Sequence, residues 1–338
     1  MLENFVEPGK VSIIVDCQFG SSGKGLIADA ISKDNHIDIC CATLSPNSGH
    51  TTYVNGVKNV TRLLPVSGIY TENSYMYLSP ESVIDVNILR EEVQRFWIHR
   101  ERLYIHPRAS IVQTDESDYD KHLVSIGSTR KGTGPARASK ILRRNPLVVS
   151  AGVEDIAKID ILDINSMLDN GYAVLIESGQ GLDLGINYGL AYPYCTSKDV
   201  LPANLLADFA IHPKYLGNIM LVLRTYPIRV GNPVNEYGKE IGYSGPFYPD
   251  SKEITWHELG QNPELSSVTK RVRRVATFSE KQFYRAIRLI QPTHIFLNFV
   301  NYIRKEDRSM FERIFTNREE HVYFGYGPNV SDISSIFL

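Results

Sequence analysis

The chain has 338 residues, a formal net charge of -2, 43% hydrophobic and 22% charged residues. That length can bury a large α/β core, and the composition is that of an ordinary globular protein. The near-neutral balance argues against a polyanion-binding surface, so no nucleic-acid partner is expected. No apolar run reaches membrane-spanning length, and residues 1–10 hold no signal-peptide core. The four cysteines (Cys17, Cys40, Cys41 and Cys195) lack metal-ligand spacing. A reduced, cytoplasmic setting away from any membrane is expected.

The first element is a strand over 11–15, apolar and β-branched as in strands covered on both faces. It runs into Gln18-Phe19-Gly20-Ser21-Ser22-Gly23-Lys24-Gly25-Leu26. Gly20, Gly23 and Gly25 permit a sharp turn that presents backbone N–H groups to an anion. The start of the following helix favours the same charge, and Lys24 adds a cation. The spacing is not that of the common P-loop, because only two residues separate Gly20 from Gly23 and Gly25 follows Lys24. A tight turn without ligand is the competing reading.

A helix over 26–32 and a strand over 37–43 predict a strand–helix–strand unit, its strands a parallel pair with a right-handed crossover. The loop Ser45-Pro46-Asn47-Ser48-Gly49-His50-Thr51-Thr52 then leaves a carboxyl strand end, the edge where α/β sheets bind ligands. Its Asn, His and Thr side chains suit a phosphate or a metal-bound water, although a lone histidine is as readily structural. Ser79-Pro80-Glu81 reads as the capped opening of a packing helix reaching residue 96. The stretch 126–135 is too rich in glycine and hydroxyls for a regular element; it suits a phosphate monoester or a mobile surface loop. Arg143 and Arg144 follow on a short helix, where a basic pair is commonly a solvated face.

A buried strand over 173–176 ends in Glu177-Ser178-Gly179-Gln180-Gly181, and residues 192–197 form a rigid aromatic turn. A strand over 218–226 precedes Ile228-Arg229-Val230-Gly231, and 237–264 reads as a long excursion. Lys270, Arg271, Arg273 and Arg274 place four cations in five positions, either facing solvent or forking onto carboxylates. A capped helix over 279–290, a strand over 293–298 and a final strand over 321–324 close the chain, the last followed by Gly325-Tyr326-Gly327-Pro328. With no internal repeat or break in composition, one α/β domain over 1–338 is expected, built on a central, mostly parallel β-sheet with inserted loops and helices.

Together these motifs resemble those of the adenylosuccinate synthetase family over nearly the whole chain. The family's Gln-Trp-Gly-Asp-Glu-Gly-Lys-Gly-Lys stands here as residues 18–26, its Asn-Ala-Gly-His-Thr as 47–51, and its Ile-Gly-Thr-Thr-Gly-Arg-Gly-Ile-Gly-Pro as 126–135, followed by Arg143-Arg144. Gly-Ala-Gln-Gly becomes 178–181, Tyr-Pro-Tyr-Val-Thr-Ser becomes 192–197, Thr-Arg-Val-Gly becomes 228–231, and the arginine loop becomes 268–274. Two departures stand out. The family's catalytic aspartate is Ser21, and its guanine-reading Thr-Lys-Leu-Asp is Asn298-Phe299-Val300-Asn301. With a chain shorter than typical cellular members, these features are similar to a viral branch that makes 2-aminoadenine precursors.

The resemblance implies a P-loop-related fold and a ligase joining L-aspartate to carbon 6 of dGMP through a 6-phosphoryl intermediate. ATP or dATP drives it with Mg2+, giving succino-2-amino-2'-deoxyadenylate. It implies catalytic roles for Ser21, Lys24, His50 and Gln180. The monophosphate would be held by Ser21, Asn47, Ser128, Thr129, Gln180, Thr196 and Arg229, with Arg143 reaching across a homodimer interface. The triphosphate would lie against Ser22, Gly23, Lys24, Gly25, Leu26 and Thr51, its base near Asn298, Asn301, Gly325, Gly327 and Pro328. Aspartate would meet Val268, Thr269, Arg271 and Arg273, with alternation along an extended loop putting the last three on one side. Ser21 and the Gly49 carbonyl would face the metal. Asn301 can donate to an adenine ring nitrogen while accepting from its amine, and Phe299 offers a stacking face. The rivals are an ordinary synthetase using IMP and GTP, and a non-catalytic nucleotide-binding relic.

Overall fold

The apolar strand near the N-terminus is Val11–Asp16, buried at all six positions. In the computed structural model, which describes residues 2, 4–54, 56–113, 123, 125–144, 152–266, 270–316 and 318–338, it lies inside a ten-stranded sheet. From one edge the order is Ile333–Ser334, His321–Gly325, His294–Asn298, Leu216–Arg224, Val11–Asp16, Val174–Ser178, Ile39–Thr43, Tyr75–Leu78, Leu103–Ile105 and Lys158–Ile159. Neighbours run parallel except the first two, which pair antiparallel. The expected mostly parallel α/β sheet is therefore present, with a short edge strand, Ile333–Ser334, that the sequence reading did not include.

Alternation along the central strands feeds two cores. Ile14, Cys40, Leu175 and Val222 face one side with Ile27 and Ile31 of the helix Lys24–Asp34. Ile13, Val15, Cys41, Ile176 and Leu221 face the other with Leu205, Phe283 and Phe311. Those three belong to the helices Pro202–Asp208, Glu280–Ile290 and Arg308–Phe315. Among the described residues no helix is long and apolar enough to cross a membrane.

Three local expectations change. The strands Val11–Asp16 and Ile39–Thr43 are parallel but not neighbours, because Val174–Ser178 pairs with both; a crossover helix fixes strand direction, not how many places are skipped. The helix expected from Ser79 starts later, at Val86, and its cap is Asp85, which accepts from the N–H groups of Asn87 and Ile88. Ser79 instead pairs its hydroxyl with Thr43, and Val83–Ile84 is a short strand beside Ser110–Ile111. Finally, the glycine-rich stretch 126–135 does contain regular structure, since the helix Thr133–Ile141 begins inside it.

The sheet gathers the motif loops on one edge. Residues 17–23, 44–49, 179–181, 225–227, 299–301 and 326–328 all follow carboxyl ends of parallel strands, the edge on which such sheets place ligands.

Candidate active site

A cavity of about 940 Å³ opens on this edge. Of the residues singled out in the sequence it brings together Ser21, Ser22, Gly23, Lys24, Gly25, Leu26, Gly49, His50, Thr51, Arg273, Asn298, Asn301, Gly327 and Pro328. Its volume suits a nucleotide-sized ligand.

The cradle loop is shaped by positive φ at Gly20 (84°), Ser21 (56°) and Gly23 (97°), the last capping the helix Lys24–Asp34. Asp16, the last residue of its strand, lies beneath the loop. Its Oδ1 accepts from the N–H groups of Gln18 (2.8 Å) and Gly20 (3.3 Å). Its Oδ2 accepts from the Ser22 hydroxyl and from Lys24 Nζ at 3.0 Å. Lys24 also donates to the Gln180 carbonyl at 2.9 Å. An ammonium has three N–H groups, so two are held and one is left for a ligand. Gly25 is needed for packing: a Cβ there would sit 2.5 Å from the Thr51 carbonyl oxygen.

His50 begins the strand His50–Val54 and is 4% exposed. Its Nδ1 lies 3.2 Å from Glu177 Oε2, while its Nε2 is buried without a hydrogen-bond partner. Glu177 also accepts from the N–H groups of Val66 (3.1 Å) and Ser67 (2.8 Å) and from the Ser67 hydroxyl (2.6 Å). The carboxylate thus caps one short helical turn, Val66–Ile69, and fixes the imidazole.

The base-side wall is built differently from expectation. Asn298 Nδ2 donates to the Ser22 carbonyl at 2.8 Å. A Cβ on Gly23 or Gly325 would come within 2.6 Å or 2.2 Å of its amide. Asn298 is therefore a peg that joins two loops, and Gly325 makes room for it rather than lining the cavity. Phe299 does line the cavity, but one of its faces carries the Arg224 guanidinium at 4.0 Å. Arg224, fully buried, is held bidentately by Glu264 and donates to the Ser21 carbonyl at 3.3 Å. Burial raises the Glu264 carboxyl, but the Arg224 charge and hydrogen bonds outweigh it and hold it below its usual range.

The cation run is not simply a solvated face. Residues 264–266 and 271–273 pair antiparallel, with Ser266 N on Arg271 O and Arg273 N on Glu264 O. Arg271 and Arg273 are partly buried while Val272 between them is 49% exposed, so the two arginines share the inward face. They reach different neighbours: Arg273 lines the cavity beside Glu264, and Arg271 reaches the Gly231 carbonyl at 3.5 Å. Burial pushes Arg273 down to about 10, which keeps it protonated at neutral pH. Val268 and Thr269 lie outside the described residues.

Of the residues expected at a monophosphate, Ser21 lines the cavity and the others do not. Gln180 reaches Ser48 at 3.5 Å, and Asn47 accepts from Ser45. Arg229 donates to the carbonyls of Ser244 (2.9 Å) and Tyr194 (3.1 Å), in the turn that carries Thr196. One Arg229 nitrogen, NH1, is buried and unpartnered. Ser128 and Thr129 follow Gly127, where a Cβ would lie 3.1 Å from Ser244 Cβ. Arg143 is exposed just past the helix Thr133–Ile141 and does not border this chain's cavity. Arg144 beside it is exposed too, outside the helix expected for the pair.

A model of the adenylosuccinate synthetase family matches residues 13–151 and 149–308. The chain belongs to that family. The N6-succino-2-amino-2'-deoxyadenylate synthase of Vibrio phage phiVC8 is 36% identical, with 96% of this chain and 97% of the relative covered. The adenylosuccinate synthetase of Methanococcus maripaludis is 34% identical, with 84% of this chain and 82% of the relative covered. Among solved structures, the cyanophage S-2L succinoaminodeoxyadenylate synthetase, bound to dGMP and to dATP as an energy donor, matches with a TM-score of 0.84 at 34% identity. It covers 96% of this chain, which covers 95% of it in return. The family's members are ligases, and so is the enzyme described here.

Four residues of this family site were not singled out from sequence: Asp16, Glu177, Arg224 and Glu264. The first three stand at or near the carboxyl ends of buried strands. An ionisable residue ending an apolar run is the one signal that could have marked them.

Proposed function

We propose that residues 1–338 act as one catalytic unit that joins L-aspartate to carbon 6 of dGMP, with ATP or dATP as phosphate donor. The observation that carries this reading is the donor set around the cavity. Ser21 replaces a carboxylate on the cradle loop, and Asn301 replaces the purely accepting carboxylate on the base side, while Lys24 and His50 line the same cavity. The phage relatives, alike over nearly the full chain, support the same substrate.

A purine 6-oxo group leaves poorly, so phosphorylation of that oxygen precedes displacement by the amine of aspartate. Phosphoryl transfer needs positioning and charge neutralisation more than covalent help. Lys24, with one free N–H, and the N–H groups of the cradle loop hold the triphosphate. Asn47, Ser128, Thr129, Gln180, Thr196 and Arg229 hold the monophosphate, and Arg271 and Arg273 pair with the carboxylates of aspartate. His50 Nε2 meets the reacting oxygen.

Mg2+ fits the residues present. It binds mainly through phosphate oxygens and water, with few protein ligands. The Ser21 hydroxyl and the Gly49 carbonyl are neutral oxygen donors beside Lys24, and among the described residues no group of three His, Cys, Asp or Glu could hold a metal. The ion would neutralise charge on the transferring phosphate. Arg143, with Ile141 and Leu142 beside it 73% and 54% exposed, serves the neighbouring copy of a homodimer. The four free cysteines, three of them buried, suit a reduced host cytoplasm.

The test is succinyl-nucleotide formation followed by mass, with dGMP, GMP and IMP supplied side by side and ATP, magnesium and aspartate present. Efficient conversion of dGMP and poor conversion of IMP is expected. Conversion of IMP with dGMP untouched returns the chain to the ordinary synthetase reading.

A further inference from the structure

Before a purine 6-oxygen can attack phosphorus, the proton on ring nitrogen 1 has to leave. The family resemblance gives that task to the carboxylate replaced here by Ser21, and a serine hydroxyl is no base at neutral pH. Asp16 lies below the same loop, but it accepts from four donors, Lys24 among them. Those four donors occupy the lone-pair sites of its two oxygens, and none is left to meet a purine proton. His50 is placed otherwise. Its ring is buried at the cavity wall, Nδ1 faces Glu177, and Nε2 is unpartnered. Glu177, accepting from two backbone N–H groups and a hydroxyl as well, can offer Nδ1 only an acceptor. The neutral ring must then carry its hydrogen on Nδ1 and a lone pair on Nε2.

We propose that Glu177 is a positioning residue that fixes His50 as the Nδ1–H tautomer, and that His50 Nε2 accepts the proton leaving purine nitrogen 1. In that step the N–H pair becomes the N1–C6 double bond, and the C6–O6 π pair forms the bond to the γ-phosphorus. The pair of the broken P–O bond leaves on the nucleoside diphosphate. The proton rests on Nε2 while Nδ1–H stays on Glu177, so the ring now donates toward the phosphorylated oxygen. When the amine of aspartate bonds to C6, the C6–O6 pair departs with phosphate, which takes the Nε2 proton, and the surplus amine proton passes to water. One residue is acceptor first and donor second.

The inference rests on the proposed ligase reaction but not on which monophosphate is used. Nitrogen-15 NMR of the ring nitrogens at about pH 8, above the ordinary histidine range, reads the tautomer in the wild type. The His50 signals are assigned by their loss in His50→Asn. Steady-state kinetics of Glu177→Gln follow, on both dGMP and IMP. Expected are a His50 ring protonated at Nδ1 and bare at Nε2, and a kcat lowered roughly 10²–10⁴-fold in Glu177→Gln, with each KM within about threefold. Where the amide turns its N–H toward Nδ1 the tautomer reverses, which nitrogen-15 NMR of the variant reads directly and lost packing would not produce. A resting ring protonated on Nε2 overturns the proposal, and so does a Glu177→Gln kcat within about twofold of wild type. Because Glu177 also caps the turn at Val66, the variant can fail to fold; the wild-type tautomer then decides alone. If IMP is converted and dGMP ignored, the proposed substrate falls while Glu177→Gln on IMP still decides this inference.

Discussion

Asp16→Asn isolates the ion pair under the phosphate cradle. Asp16 and Lys24 are 3.0 Å apart, with 0% and 6% of their side chains exposed. Removing one member of such a pair leaves the other charge uncompensated, at a cost of about 3–5 kcal/mol. Lys24 keeps the Gln180 carbonyl and borders an open cavity, so the low end, about 3 kcal/mol, is expected. Asparagine retains an oxygen for the N–H groups of Gln18 and Gly20, so the loss reports charge rather than a broken loop. Lys24→Met in the Asp16→Asn background removes the stranded ammonium and should restore about 2 kcal/mol, which a double-mutant cycle reads as coupling. The assay is urea unfolding of the ligand-free protein at constant m-value. A loss below about 1 kcal/mol, the range of solvent-exposed pairs, or strict additivity of the two changes, would refute the reasoning.

Burial pushes the Asp183 carboxyl up to about 6, although Gln282, Tyr248 and Arg285 all donate to it. Because its folded pKa lies above the unfolded value, the folded protein binds this proton more tightly. Its contribution is greatest at low pH and is lost as pH rises from about 4 through 6, by at most about 3 kcal/mol. Urea stability of Asp183→Asn should be flatter than wild type across that window, and an unchanged slope counts against the assignment. Ser21→Asp should lower kcat/KM for dGMP at least about tenfold, since the longer side chain fills the corner a 2-amino group needs; undiminished dGMP turnover refutes this. Wild type should prefer ATP or dATP over GTP, and Asn301→Asp should shift the ratio toward GTP by about tenfold, a shift that competition assays at limiting donor would show or exclude. Arg271→Leu should raise the KM for aspartate about 10- to 100-fold, the worth of a charge-assisted hydrogen bond, with nucleotide KM values nearly unchanged; an unaltered aspartate KM would remove Arg271 from that site.

The cradle could be read from sequence because its backbone demands particular residues. Gly20 and Gly23 sit at φ values of 84° and 97°, which side chains with a Cβ rarely adopt. The helix Glu280–Ile290 was equally plain, since Ser279 caps it and accepts from Gln282 N. What escaped was long-range. Nothing local shows that Asn298, 276 residues beyond Ser22, binds its carbonyl, or that Arg224 lies across one face of Phe299. The register of Ser79 escaped because a capping serine and a strand-end serine have the same local pattern, and Thr43 decides between them from a neighbouring strand end. Arg271 and Arg273 were rightly placed on one face by alternation, but which neighbour each meets depends on where Glu264 and Gly231 lie.

Two of the side chains that line the cavity are anchored by the same device. Asp16 ends one strand and holds Lys24; Glu177, on the adjacent strand, holds His50. The parallel register pairs Ile14 with Glu177, so Asp16 lies two residues further toward the ligand edge. Burying carboxylates in a largely apolar sheet is costly unless each lone pair is used. Both are: Asp16 and Glu177 each accept four hydrogen bonds. Such saturation makes them rigid supports. Gln180, in the left-handed region at φ 65°, turns its carbonyl to Lys24 while its side chain reaches Ser48. On the proposed reading, Lys24 and the His50 ring are therefore in place before the phosphate arrives, and the reorganisation that water would require is met during folding instead of at the moment of transfer. A carboxylate at position 21 would have to coexist with that arrangement 3 residues from Lys24; with serine there, the negative charge lies beneath the loop rather than in front of it, and on the proposed reading the corner meant for the purine's 2-amino group stays open.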